Sequence, residues 1–174
     1  MATDVIEQAN ANPTQEKLIA GETYAAIDKW IAKYPDDQKQ AAVIPALHLV
    51  QDANGGHITT ALMDELACYL EMPEIAVYEV ASFYSMFEHK PVGKHKISIC
   101  TNISCMLLGS EEIVKHLENK YGLKLGQTTP DGKFTLKEVE CLGACVGAPR
   151  CLIGHDYHEH LTPEKIDGIL EKLD

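Results

Sequence analysis

Four of the chain's six cysteines fall into two close pairs, Cys100 with Cys105 and Cys141 with Cys145. The first pair reads C-x4-C and the second C-x3-C, with 35 residues between Cys105 and Cys141. Thiolate sulfur is the soft donor that Zn²⁺ and iron–sulfur clusters both prefer. Spacing alone does not separate the two, because structural zinc sites tolerate a few residues between paired cysteines. Unconnected cysteines packed in a core are the plain alternative, and two pairs that each begin where a strand pattern ends argue against it. The residues around the second pair tilt the choice. Leu142-Gly143-Ala144-Cys145-Val146-Gly147-Ala148-Pro149 is small, apolar and glycine-rich. Such a loop lets backbone N–H groups approach the sulfurs, which stabilises added electron density. A zinc knuckle is more often polar around its ligands, so the chemistry favours iron–sulfur and leaves zinc as the rival.

The remaining candidates carry less. Cys151 lies on a strand pattern and reads as a packed residue rather than an auxiliary thiol, and Cys68 beside a helical stripe reads as core. No C-x-x-C occurs, which argues against a dithiol oxidoreductase. His155, His158 and His160 form the one histidine cluster; a weak metal site is conceivable on a strand, and solvent exposure is the expected state. Gly143 and Gly147 are not a phosphate loop, and there is no G-x-G-x-x-G, so neither nicotinamide nor flavin is expected to bind this chain. No catalytic constellation of side chains stands out.

The elements that must hold the two pairs are legible. His95-Lys96-Ile97-Ser98-Ile99-Cys100 alternates with period two and predicts a strand ending at the first cysteine. Phe134 through Glu140 alternates strictly and predicts a second strand ending just before Cys141. Between them Ser110 is expected to cap a helix with Ile113, Val114, Leu117 and Tyr121 on its buried stripe, stopped by Gly122. Leu123-Lys124-Leu125 suggests a short strand. Cys151-Leu152-Ile153, a turn at Gly154 and Tyr157-His158-Glu159 suggest a hairpin. Thr162 and Pro163 open a last helix whose stripe is Ile166, Ile169, Leu170 and Leu173.

Before Gly93 the pattern is helical throughout. Residues 1 to about 20 are polar, with Asn10, Asn12 and Pro13 as breakers, and read as a mobile arm leading into the first helix. Tyr24, Ile27, Trp30 and Ile31 recur at helical spacing up to Tyr34-Pro35. A second helix begins near Asp37, with a kink or restart expected at Pro45. Thr59 or Thr60 caps a third, and Pro73-Glu74 opens a fourth. The expectation is an all-helical bundle over residues 1–92 and an α/β domain over 93–174.

Composition fits a soluble globular protein, at 45% hydrophobic and 24% charged residues. The net charge of −11 and the lack of a dense Lys/Arg cluster make nucleic acid an unexpected partner. No apolar run approaches the roughly 20 residues needed to cross a bilayer, so no membrane insertion is expected. The start, Met1 to Glu7, lacks a basic stretch followed by an apolar one, and a cytosolic location is expected. Clustered thiols in a reducing compartment again point to metal or redox chemistry.

Cys100-Thr101-Asn102-Ile103-Ser104-Cys105-Met106-Leu107, followed by Glu140-Cys141-Leu142-Gly143-Ala144-Cys145-Val146-Gly147-Ala148-Pro149, resembles the thioredoxin-like 2Fe–2S ferredoxins. Within that family it is most similar to the ferredoxin-like E subunits of NADH:quinone oxidoreductases, respiratory complex I. Val77 through Phe87 is similar to a segment of that group's helical half, and Leu161-Thr162-Pro163 resembles its final helix. The resemblance implies a thioredoxin-like α/β domain with one 2Fe–2S cluster on Cys100, Cys105, Cys141 and Cys145. It implies partners: a flavoprotein subunit holding FMN and the NADH site, and other peripheral-arm subunits of complex I. The chain would then be a redox subunit without bond-making residues, peripheral to the inner membrane through the complex. The equivalent subunit of an NAD-linked hydrogenase or formate dehydrogenase is the alternative. Family members often carry a basic residue where Leu108 stands and an apolar one where Arg150 stands. Positive charge beside the cluster is therefore expected at Arg150, where it would favour the reduced form.

Overall fold

A computed structural model describes residues 17–174; the expected N-terminal arm lies almost wholly outside them. The helical half follows from its sequence pattern. Helix α1 (Gly21–Ile31) buries Ile27. A 3-10 turn over Lys39–Ala42 leads into α2 (Val43–Ala53). Pro45 sits in the first turn of α2, where its missing N–H has no intrahelical partner to lose, so the helix restarts there without an interior kink. Thr59 caps α3 (Thr60–Tyr69) by accepting the Leu62 N–H at 3.3 Å. Helix α4 (Glu74–Phe83) completes the bundle. Ile27, Leu47, Leu66, Leu70 and Val77 form its core. Cys68 is exposed, contrary to expectation. It lies two positions past buried Leu66, about 200° round the helix from the packed stripe.

The second half is a sheet in the order β2-β1-β3-β4, with β1 at His95–Cys100, β2 at Phe134–Val139, β3 at Cys151–Ile153 and β4 at Asp156–His158. Strands β1 and β2 are parallel, while β1–β3 and β3–β4 are antiparallel. The β1–β2 crossover contains α5 (Ile103–Leu107) and α6 (Ser110–Tyr121), and α7 (Pro163–Leu170) follows the hairpin. One sheet face packs Ile97, Ile99, Leu136, Cys151 and Ile153 against α6 and α7, a core separate from that of the helical bundle. Three details depart from the sequence reading. Gly109, at φ 96°, is the N-cap of α6, and Ser110 is buried inside the helix with its hydroxyl unpartnered. Leu123–Leu125 is not a strand; Leu123 packs into the core and Leu125 enters a turn. The short helix α5, which carries Cys105, has no counterpart in the sequence reading.

The other sheet face meets the segment joining the two halves. Glu88 Oε1 binds Lys96 Nζ at 3.0 Å and also Lys137, while its backbone N–H donates to Gln51 of α2 at 2.7 Å. One residue thus ties the bundle to the sheet. His155 adds a second tie to Asp52 at 3.1 Å. A cleft of about 760 Å³ remains between the halves, reaching Cys141 and Leu142 at one end. Among the described residues no helix is long and apolar enough to cross a membrane.

Candidate metal centre

Strand β1 lies between β2 and β3, and this places Cys100. Its register pairs Cys100 with Val139, two residues before Cys141. On the other side the Cys100 N–H donates to the carbonyl of Arg150 at 3.2 Å. The end of one central strand therefore lies beside both flanks of the second cysteine loop. The Cys100 thiol donates to the carbonyl of Glu140 at 3.4 Å, and Asn102 Nδ2 donates to Glu140 Oε2 at 3.3 Å. Asn102 Oδ1 also accepts the Ile103 N–H at 2.7 Å, which starts α5 and turns Cys105 back inward.

Cys100 and Cys105 are both buried and pack with Ala148, Val139 and Leu142. Burial pushes the Cys105 thiol up to about 11, helped by the hydrogen bond it shares with Cys100 and opposed by the Arg150 backbone N–H; Cys145 is close enough to add to the rise. Cys141 and Cys145 are exposed. Cys141 Sγ accepts the Gly143 N–H at 3.3 Å, and Cys145 begins a 3-10 turn through Gly147. Among the described residues no three His, Cys, Asp or Glu side chains stand close enough to hold a single ion. Cys100 and Cys105 pack together, with Cys145 near Cys105, and Cys141 follows the strand paired with Cys100. In a two-iron cluster with four thiolates, each iron takes two of them. Soft donors, a backbone N–H already on one sulfur and another beside Cys105 fit that group.

The second loop is held from the hairpin. The Arg150 guanidinium is 2% exposed; its Nη1 donates to the carbonyl of Ala144 and its Nη2 pairs with Glu159 Oε1 at 3.1 Å. Its Cζ lies 4.2 Å from the centre of the Tyr157 ring, and the Tyr157 hydroxyl donates to the carbonyl of Leu142 at 3.2 Å. Arg150 Nε is buried without a partner. None of this was read from the sequence, which placed Arg150 nearby but gave no sign of its burial.

The other expected features sort plainly. Cys151 is fully buried on β3, and burial raises its thiol to about 12. His155 and His160 are exposed, and His160 has left the strand at φ 48°, so it shares no strand face with His158.

The family model for thioredoxin-like [2Fe-2S] ferredoxins matches residues 27–174. The chain belongs to this family. Its cofactor is the 2Fe–2S cluster. Among curated relatives, the E subunit of NADH-quinone oxidoreductase from Rickettsia bellii is 49% identical over 143 residues, covering 82% of this chain and 86% of that protein. The protein of the same name in Rickettsia conorii is 50% identical over 143 residues, with the same coverage of both chains. "NADH dehydrogenase [ubiquinone] flavoprotein 2, mitochondrial" of Dictyostelium discoideum is 44% identical over 160 residues, 92% of this chain and 62% of that one. Among solved structures, an air-oxidised NAD⁺-reducing [NiFe]-hydrogenase superposes with a TM-score of 0.64 at 23% identity, over 80% of this chain and 24% of that chain. This likeness is one of fold.

Proposed function

We propose that the chain is the electron-transfer subunit of an NADH:quinone oxidoreductase. In this reading one 2Fe–2S cluster on Cys100, Cys105, Cys141 and Cys145 exchanges single electrons with FMN on a partner flavoprotein subunit. The observation that carries it is the convergence of both cysteine pairs at one end of the sheet, in a chain about half identical to proteins named for that role. The cluster supplies the one-electron chemistry; the chain positions it, excludes water from the Cys100–Cys105 side and sets its potential. No residue of the chain makes or breaks substrate bonds. The protein sits at the inner membrane's surface through the complex. The second reading is the diaphorase subunit of an NAD-linked hydrogenase or formate dehydrogenase; an NAD⁺-reducing [NiFe]-hydrogenase shares the fold, yet the half-identical relatives favour the quinone-linked enzyme.

Residues 1–92 then form the docking bundle and 93–174 the cluster domain, a division supported by their separate cores. The bundle's tyrosines are mostly engaged internally: Tyr24 donates to Glu65 at 2.6 Å, and Tyr69 and Tyr78 bond Asp28 and Asp64. Trp30, Ile75 and Phe83 remain exposed for a partner.

Anaerobically purified protein is expected to be coloured, with iron and acid-labile sulfide in equal amounts. A colourless protein containing zinc would overturn the reading, since Zn²⁺ is d¹⁰. A fragment starting at Gly93 is expected to keep a reducible cluster and lose co-purification with the flavoprotein. Undiminished binding would move the docking surface to the cluster domain.

A further inference from the structure

Arg150 is the one fully buried cation among the described residues, and its surroundings are asymmetric. Toward the second cysteine loop it meets a neutral carbonyl, that of Ala144. On another side it meets Glu159, whose side chain is 48% exposed. Glu159 is kept there by the backbone. His160 N–H donates to the Gly147 carbonyl at 2.8 Å, and Leu161 N–H to the Pro149 carbonyl at 2.9 Å, so residues 159–161 run alongside 147–149. The absence of a side chain at Gly147 makes room: a Cβ there would lie 2.5 Å from Glu159 Cδ. The buried Arg150 Nε, with no acceptor, leaves part of the guanidinium's donor capacity unspent. The same residue's backbone faces Cys100 through its carbonyl and Cys105 through its N–H.

We infer that Arg150 and Glu159 form a charge pair that sets the cluster's reduction potential, with Arg150 raising it and Glu159 lowering it. This rests on the ligand assignment proposed above. Reduction adds one negative charge to the cluster. A cation held out of water beside the ligand loop favours that charge, and an anion paired with it opposes. Both charges touch the loop, and the cation is the better shielded from solvent, so its contribution is the larger of the two. Arg150 is a positioning residue as well, since it anchors Ala144 within the loop; the charge effect is what separates the two roles.

The test is a redox titration of the full chain and of R150M, R150K and E159Q, followed by the EPR signal of the reduced cluster at low and high salt. R150M is expected to shift the oxidised–reduced equilibrium about tenfold toward oxidised, about 59 mV lower for one electron. E159Q is expected to move it about threefold the other way, because it removes a negative charge and leaves the cation. R150K keeps the charge and should fall between R150M and the unaltered chain. The R150M shift should persist at high salt, while that of E159Q shrinks, as their exposures dictate. A clamp with no electrostatic role predicts something else: R150K as displaced as R150M, and E159Q unmoved or moved in the same direction as R150M. Either result overturns the inference while leaving the cluster assignment standing. Should R150M fail to retain the cluster, E159Q and R150K decide alone, by a rise in the first and near-retention in the second. Absence of a reducible 2Fe–2S signal from the unaltered chain defeats the ligand assignment and this inference with it.

Discussion

The two cysteine pairs are held by different means. Cys100 ends a central strand and Cys105 lies in a capped helix, and both are buried. Their positions follow from regular backbone, with the sheet register on one side and the Asn102 cap on the other. Cys141 and Cys145 lie exposed on an irregular loop whose only regular piece is a 3-10 turn at Cys145–Gly147. That loop is fixed by side chains reaching its carbonyls: Tyr157 to Leu142 and Arg150 to Ala144. One half of the site is thus built by the fold itself, and the other by two residues, Arg150 just before the hairpin and Tyr157 on it. Loops of the second kind accept changes in charge and contact without disturbing the core, which makes them the natural place to tune a cofactor.

This contrast is sharpest in thiol reactivity. In cluster-free, reduced protein at pH 8, Cys141 and Cys145 are expected to react with iodoacetamide well ahead of Cys105. The thiolate is the nucleophile, and a thiol raised to about 11 by burial holds on the order of a hundredfold less of it than an ordinary one. Cys151, raised to about 12, should be slower still. Peptide mapping by mass spectrometry reads the order directly. Equal rates at Cys105 and Cys145 would break the comparison.

A smaller effect is expected in stability. In cluster-free protein, Cys105→Ser places a hydroxyl in a buried apolar setting and should cost about 1–3 kcal/mol. Cys145→Ser changes an exposed loop and should stay within about 0.5 kcal/mol. Denaturant unfolding followed by circular dichroism measures both, and similar losses would mean the second loop is more integral to the fold than its exposure indicates.

How much of this was legible in the sequence follows the same division. The alternation in residues 95–100 and 134–140 located both strands to within a residue, because only one sheet face packs an apolar core and this imposes period two. Thr59, Thr162 and Pro163 marked their helix starts correctly, since capping is local chemistry. Helix α5 escaped because five residues are too short to show a period; Asn102 before Ile103 was the one available signal. Cys68 was misplaced because it neighbours the stripe in sequence, although two helical steps past Leu66 carry it to the opposite face. The Arg150–Glu159–Tyr157 clamp was illegible for a different reason. Strand alternation makes Cys151 and Ile153 inward and leaves Arg150 unassigned, and its burial comes from residues on the far side of the hairpin. Contacts of that kind depend on tertiary placement, not on pattern.

The ligand set is the claim on which the rest depends, and iron and acid-labile sulfide analysis of two variants tests it most directly. Cys141→Ser, an exposed loop position, is expected to lose the 2Fe–2S cluster while remaining folded. Cys151→Ser, in the sheet core a few residues further on, is expected to lose some stability and keep a full complement of iron and sulfide in its folded fraction. A normal cluster in Cys141→Ser, or its loss from folded Cys151→Ser, would contradict the assignment.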